Sequence, residues 1–208
     1  MFIKKHQIPN HVVRHFQKFD PTLHAYAEKV GEIVLTSSHD FFASLCSDII
    51  GQQLSGKAAD TIYGRFEKLF PKNTPTAQRI LKLSDEKLRS VGISGAKTRS
   101  LKDLAMHIVQ KKLNLSKFPH MTNDEIKTAL IQVKGIGPWT AEMFLMFSLA
   151  RKDVFSFGDL GLKKAIQRVY GLKNHPTERQ MLALSKKWQP YRTYAARILW
   201  KVLDTPEK

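Results

Sequence analysis

Apolar positions recur three and four residues apart along almost the whole chain. Phe41, Phe42, Leu45, Cys46, Ile49 and Ile50 fall on one face of a helix, and Ala58, Ala59, Ile62, Tyr63, Phe66, Leu69 and Phe70 on one face of the next. Leu101, Leu104, Ala105, Ile108 and Val109 mark another, after the turn-like Gly92-Ile93-Ser94-Gly95. Thr122 with Glu125, and Thr177 with Gln180, have the spacing of capping boxes, in which hydroxyl and carboxyl or amide groups satisfy free amides at a helix start. Pro190 suits a first helical position, and Tyr191, Tyr194, Ala195, Ile198, Leu199 and Val202 line a final helix. Only residues 32–36 hint at a strand. The pattern predicts an all-α fold in which residues 1–208 form one unit of two lobes. The Pro-containing connections at 71–75 and 118–119 divide it into a central helical lobe at about 37–118 and a second lobe at about 119–208. The less periodic residues 1–36 are left open as a helix packing on that second lobe.

Composition narrows the partners. With 208 residues, 42% of them hydrophobic, the chain can bury a core and is too apolar for wholesale disorder. Lys and Arg number 34 against 18 Asp and Glu, a formal charge of +16. Such an excess opposes compaction unless an anionic partner offsets it, and nucleic acid or an acidic membrane surface are the usual partners. The plainer alternative is a soluble basic surface. The longest apolar stretch, 143–150, is far too short to span a membrane, and the start Met1-Phe2-Ile3-Lys4-Lys5 lacks a secretory apolar core. The expectation is therefore no membrane association and a reducing intracellular compartment, cytoplasm or nucleoid, or nucleus in a eukaryote. A lone Cys46 cannot build a disulfide, a Cys-rich zinc site or a four-cysteine iron–sulfur cluster within the chain, and reads as a small buried hydrophobe.

Between a helix ending near Val133 and one beginning near Pro138 lies Lys134-Gly135-Ile136-Gly137-Pro138, long enough only for a tight helical hairpin. Two glycines let the backbone approach a ligand, and amides exposed at a positive helix terminus suit a phosphate. A plain connection between helices explains the same glycines.

Leu130-Ile-Gln-Val-Lys-Gly-Ile-Gly-Pro-Trp-Thr-Ala141 resembles the helix-hairpin-helix of a superfamily of base-excision DNA glycosylases. The likeness continues through Val154-Phe-Ser-Phe-Gly-Asp159-Leu-Gly-Leu-Lys163, the position of that superfamily's Gly/Pro-rich loop and aspartate. Ile49-Ile-Gly-Gln-Gln-Leu-Ser-Gly-Lys-Ala58 and Trp188-Gln-Pro-Tyr-Arg-Thr-Tyr-Ala-Ala-Arg-Ile-Leu-Trp200 are similar to its alkylation-repair branch, the 3-methyladenine DNA glycosylase II family, here in compact form. The resemblance implies a two-lobed helical fold with a cleft between lobes. It implies hydrolysis of the bond joining an alkylated purine, such as 3-methyladenine or 7-methylguanine, to its sugar, on a nucleotide swung out of the duplex. That cleavage builds positive charge on the sugar, and Asp159 is the implied carboxylate that stabilises it and orients or deprotonates the attacking water. Trp139, Trp200 and Met143 are implied to line the base pocket. A tryptophan face attracts a cationic purine by roughly 0.5–2 kcal/mol. Gln53, or its neighbour Leu54, is the implied wedge filling the gap left by the extruded nucleotide. Lys134, Gly135, Ile136, Gly137, Thr140 and Lys57 are implied to hold the DNA backbone, with Lys97, Arg99, Lys163 and Lys164 as further candidates. Carbonyls of Ile131, Val133 and Ile136 are implied to hold a monovalent cation. Neither a cofactor nor a catalytic metal is implied, and the partner is double-stranded DNA bearing damaged bases, met by a monomer. Trp139 stands where bifunctional relatives carry an amine nucleophile, so no strand-cutting lyase step is expected.

The residues alone leave other readings open. Asp159 precedes Leu162, Ala165, Ile166, Val169 and Tyr170 and could simply cap that helix. Each tryptophan could be core, the reading favoured for Trp188. Met143, where some relatives have a pocket tyrosine, and Gly158, beside Asp159 where some have an acidic residue, leave the range of purines open. A non-catalytic helix-hairpin-helix module that binds damaged DNA, and a glycosylase for other modified purines, are the alternatives.

Overall fold

The computed structural model describes residues 8–205, which form helices and connecting loops with no strand among them. The described residues divide into two compact units, one of residues 8–36 with 150–205 and one of residues 37–149. None of the described helices is long and apolar enough to cross a membrane.

The unit of residues 37–149 contains α3 (Phe41–Gly51), α4 (Gly56–Glu67), α5 (Ala77–Lys82), α6 (Asp85–Arg89), α7 (Gly95–Val109), α8 (Asn123–Leu130) and α9 (Pro138–Met143), the last running into a π turn at Phe144–Ser148. Most of these helices start on a side-chain cap. Asp40, Thr76, Ser84, Ser94 and Thr122 each accept an amide of the first turn, and Thr122 and Glu125 form the expected capping box. Leu45, Cys46, Ile49 and Ile50 of α3 and Leu101, Leu104 and Ala105 of α7 are fully buried. Burial of a large aliphatic side chain contributes about 1.5–3 kcal/mol, so these two faces hold the unit together. Burial also pushes the Cys46 thiol far up, which keeps it protonated and inert, as its sequence setting suggested.

The division does not follow the proline-containing connections. Residues 119–149, expected with the carboxyl-terminal helices, belong with 37–118. The reason is packing: the ring of Phe118 sits 5.8 Å from Phe144, and Phe41 at the start of α3 sits 5.9 Å from the same ring. Both proline segments are short 3-10 turns, Pro71–Asn73 and Leu115–His120, inside one unit. The chain changes unit at 36/37 and 149/150.

The other unit contains α1 (Asn10–Phe19), α2 (Pro21–Ala27), α10 (Leu160–Val169), α11 (Glu178–Trp188) and α12 (Arg192–Asp204). Residues 8–36 are thus grouped with the carboxyl-terminal helices, and residues 1–7 lie outside the described residues. Asp20 ties these helices together. Its Oδ1 accepts the Leu23 amide, while Oδ2 accepts the Tyr170 hydroxyl at 2.7 Å and the Trp188 indole N–H at 2.8 Å. Trp188 is fully buried, the core role that its helix suggested. Thr177 and Gln180 form the second expected capping box.

Two local expectations are corrected. Residues 32–36 form no strand, because side chains of α12 take their carbonyls: Arg197 donates to Val34 and Lys201 to Glu32. Pro190 does not open α12, which begins at Arg192 after Tyr191. The first amides of that helix are capped from elsewhere, Arg192 N–H by the Asp153 carboxylate and Thr193 N–H by the Lys152 carbonyl. Arg192 and Asp153 also pair through two guanidinium nitrogens at 2.6 and 2.9 Å.

Candidate functional site

Helix α8 ends at Leu130, one turn before the hairpin loop. Val133 and Ile136 are buried and pin the loop from inside, while Lys134 and Gly135 face outward. Gly135 has φ +83°, and a Cβ there would overlap Ser100 Oγ on α7, so both the backbone conformation and the close approach require glycine. Pro138 occupies the first turn of α9, as its position suggested, with Gly137 at the N-cap. Several expected phosphate contacts turn out to be internal struts. The Lys134 amide donates to Asp103 Oδ2 at 2.7 Å, and the Ile136 amide to the Val133 carbonyl. Thr140 is buried, its hydroxyl accepting from Gln52 Nε2, which also reaches the Gly135 carbonyl at 2.9 Å. Gly135→Ala is expected to destabilise the fold by roughly 2–4 kcal/mol, from left-handed strain plus overpacking. Removing the Ser100 hydroxyl in the same chain should restore the packing share, read as a partial recovery of the thermal midpoint.

The corner between α3 and α4 carries the wedge candidates. Gln53 is exposed with φ +57°, a conformation that costs a non-glycine residue about 1–2 kcal/mol, and Leu54 beside it is 38% exposed. Such strain persists only where the surroundings hold it. Here Lys97 of α7 donates its ammonium to the carbonyls of Ile50 and Gln52 at 2.8 and 2.7 Å, satisfying the end of α3. Partial burial lowers its pKa. Lys97 is thus a structural clamp on this corner, a role that its charge alone did not suggest. Lys57, Arg99 and Lys164 remain exposed.

In the other unit Asp159 caps α10, its Oδ1 accepting the Leu162 amide at 2.7 Å. The same oxygen accepts the indole N–H of Trp200 from α12 at 3.1 Å. Gly161 makes that approach possible, since a Cβ there would lie 3.0 Å from Asp159 Oδ1 and 3.3 Å from Trp200 Nε1. The cap that the sequence offered as an alternative is therefore real, and one oxygen carries both bonds. Trp139, the second residue of α9, is 46% exposed, unlike the fully buried Trp188, and Met143 follows it one turn later. The Trp200–Asp159 bond, the struts Asp103 and Gln52 and the close approach of Ser100 to Gly135 are not legible in the sequence. No spacing rule links residues so distant in the chain, though Gln52 lay inside a motif that had been singled out.

The sequence profile of HhH-GPD superfamily base excision DNA repair proteins matches residues 46–190. The chain is 35% identical to the DNA-3-methyladenine glycosylase 1 of Schizosaccharomyces pombe over 77% of this chain and 71% of that protein. The crystal structure of a DNA-3-methyladenine glycosidase from Bacillus halodurans superposes with a TM-score of 0.84 at 36% identity, covering 95% of this chain and 91% of that one. The S. pombe 3-methyladenine DNA glycosylase Mag1, in complex with abasic DNA, superposes with a TM-score of 0.86 at 30% identity over 96% of this chain and all of that one. With the hairpin, the all-helical units and these likenesses in agreement, the chain belongs to the HhH-GPD superfamily of base excision DNA repair proteins.

Proposed function

We propose that this chain is a monofunctional DNA glycosylase that hydrolyses the N-glycosidic bond of alkylated purines of the 3-methyladenine and 7-methylguanine type in double-stranded DNA. The observation that carries the reading is Asp159, a carboxylate held by a helix amide and an indole N–H in one orientation. As the base departs, the sugar takes on oxocarbenium character, and a fixed negative group facing it lowers the barrier without having to reorganise. The same carboxylate orients the attacking water and takes its proton. A cationic alkylated base leaves with the bonding electron pair unaided, so this reaction needs no acid. Trp200 has two parts in this reading, orienting Asp159 through its N–H and offering a ring to the base; Trp139 and Met143 offer further pocket surface. Gln53, or Leu54, fills the duplex at the strained corner.

The backbone of the DNA is met by the amides of Gly135 and Gly137 and by the side chains of Lys134 and Lys57. The carbonyl of Val133 accepts one amide, which leaves a lone pair, and with those of Ile131 and Ile136 it would hold a monovalent cation that neutralises phosphate charge there. The protein acts as a monomer, inside the cell. With Trp139 in place of an amine, the product is an intact abasic strand.

The deciding experiment is release of free base from methylated duplex DNA, with the strand examined before and after alkaline treatment. Free 3-methyladenine or 7-methylguanine and a strand that breaks only in alkali is the expected result. Tight binding with no released base would leave a damage-binding module, and base release confined to other lesions in a panel would leave a glycosylase of different specificity.

A further inference from the structure

Gln52 stands beside the wedge candidates, and its side chain reaches away from them to the hairpin. The backbones of Gln52 and Gln53 form the centre of a tight turn, closed by the Leu54 amide on the Gly51 carbonyl at 3.1 Å. Gln52 has φ −49° and ψ 131° and Gln53 has φ +57°, the type II arrangement, whose third residue is ordinarily glycine. Rotating the peptide between Gln52 and Gln53 would give the type I turn, which is free of the positive φ, and would re-aim the Gln53 side chain. Two groups oppose that rotation. Lys97 holds the carbonyl of this same peptide at 2.7 Å. The Gln52 side chain anchors the residue to positions 83 and 88 residues further on, donating from Nε2 to the Gly135 carbonyl at 2.9 Å and to Thr140 Oγ1 at 3.1 Å, which uses both of its hydrogens.

The far end of this anchor is as firmly set. The peptide joining Gly135 to Ile136 is held at its carbonyl by Gln52 and at its N–H by the Val133 carbonyl, and a planar unit held at both ends fixes the direction of the chain on either side. The flanking amides, those of Gly135 and Gly137, are the ones assigned above to phosphate. Thr140 is buried and follows Trp139 in α9, so this end cannot shift without moving that helix. All of these groups lie within the unit of residues 37–149.

We propose that Gln52 is a positioning residue that couples the hairpin's grip on the DNA backbone to the seating of the wedge, so that phosphate binding is converted into extrusion of the nucleotide. The inference rests on the glycosylase reading above. Unstacking a nucleotide costs free energy that contacts elsewhere must supply. A wedge on a corner free to relax would give way instead of entering the duplex, whereas a corner tied to the phosphate-binding loop is ordered before the DNA arrives. Gln52 acts through the geometry of Gln53 and Leu54 and not on the reacting atoms.

The test uses Gln52→Met, which keeps the length of the side chain and removes both donors, on a duplex carrying 7-methylguanine with 2-aminopurine as its neighbour, whose fluorescence rises as the stack opens. Single-turnover release of 7-methylguanine at saturating protein is expected to fall roughly tenfold or more, and the fluorescence rise to shrink with it, while affinity for unmodified duplex and its salt slope stay within about twofold of wild type. A chain lacking both wedge candidates, Gln53→Ala with Leu54→Ala, separates coupling from general loosening, since Gln52→Met should there cost less than about twofold. Thr140→Val breaks one of the two bonds with little change of shape. It is expected to give a smaller loss that also vanishes without the wedge, and it carries the test if Gln52→Met lowers the thermal midpoint. Unchanged release and fluorescence, an equal loss with and without the wedge, or a parallel fall in affinity for unmodified duplex overturns the inference. A wild type that releases no 7-methylguanine overturns the glycosylase reading instead, and the fluorescence signal then decides the coupling by itself.

Discussion

Asp159→Asn is expected to reduce base release from methylated DNA by roughly 10²–10⁴-fold, about 3–5 kcal/mol of barrier, while leaving DNA affinity near the wild-type value. The substitution is informative because of where the hydrogen bonds fall. Both the Leu162 amide and the Trp200 indole donate to Oδ1, and an asparagine carbonyl oxygen can accept both, so the helix cap and the side-chain orientation survive. What disappears is the negative charge that would face a cationic sugar and the base that would take a proton from water. Single-turnover release of 7-methylguanine, alongside a binding titration, separates chemistry from recognition. Wild-type turnover in the asparagine variant would end the catalytic assignment and leave Asp159 as a cap alone.

The affinity of the chain for unmodified duplex DNA should fall steeply with salt. A surplus of sixteen positive charges means that binding releases counterions condensed on the phosphates, and each neutralised phosphate adds about −0.9 to the slope of log affinity against log salt. If six to ten phosphates are met, affinity drops roughly 10³–10⁵-fold between 50 and 200 mM salt. Fluorescence anisotropy with a labelled duplex measures this directly. A flat response would mean that the positive surface serves solubility and not DNA. The internal struts refine the expectation: Lys97 is tied to α3 carbonyls, and neutralising it should disturb the Gln53 corner more than it changes the slope.

The contrast between Trp188 and Trp200 shows how far the sequence could be read. Trp188 lies on an amphipathic helix whose cap and period are local signals, and its burial followed from them. Trp200 also lies on a periodic helix, yet its bond to Asp159 joins positions 41 residues apart, and nothing local encodes which oxygen an indole meets. Lys97 makes the same point for charge. Its charge made it a candidate for the DNA backbone, but three-dimensional proximity to the end of α3 turned it into a cap.

The sequence alone determined the strongly periodic helices, both capping boxes, the glycine-bearing hairpin and the positive charge, because backbone hydrogen bonding, side-chain period and net charge depend on neighbours along the chain. Tertiary structure decided the grouping of the hairpin with residues 37–118, the absence of a strand at 32–36, the start of α12 at Arg192 and the partners of Lys97 and Thr140. Each of these depends on which distant group reaches a carbonyl, an amide or a cavity first, and burial, which sets the cost of leaving a polar group unpaired, exists only once the chain has folded.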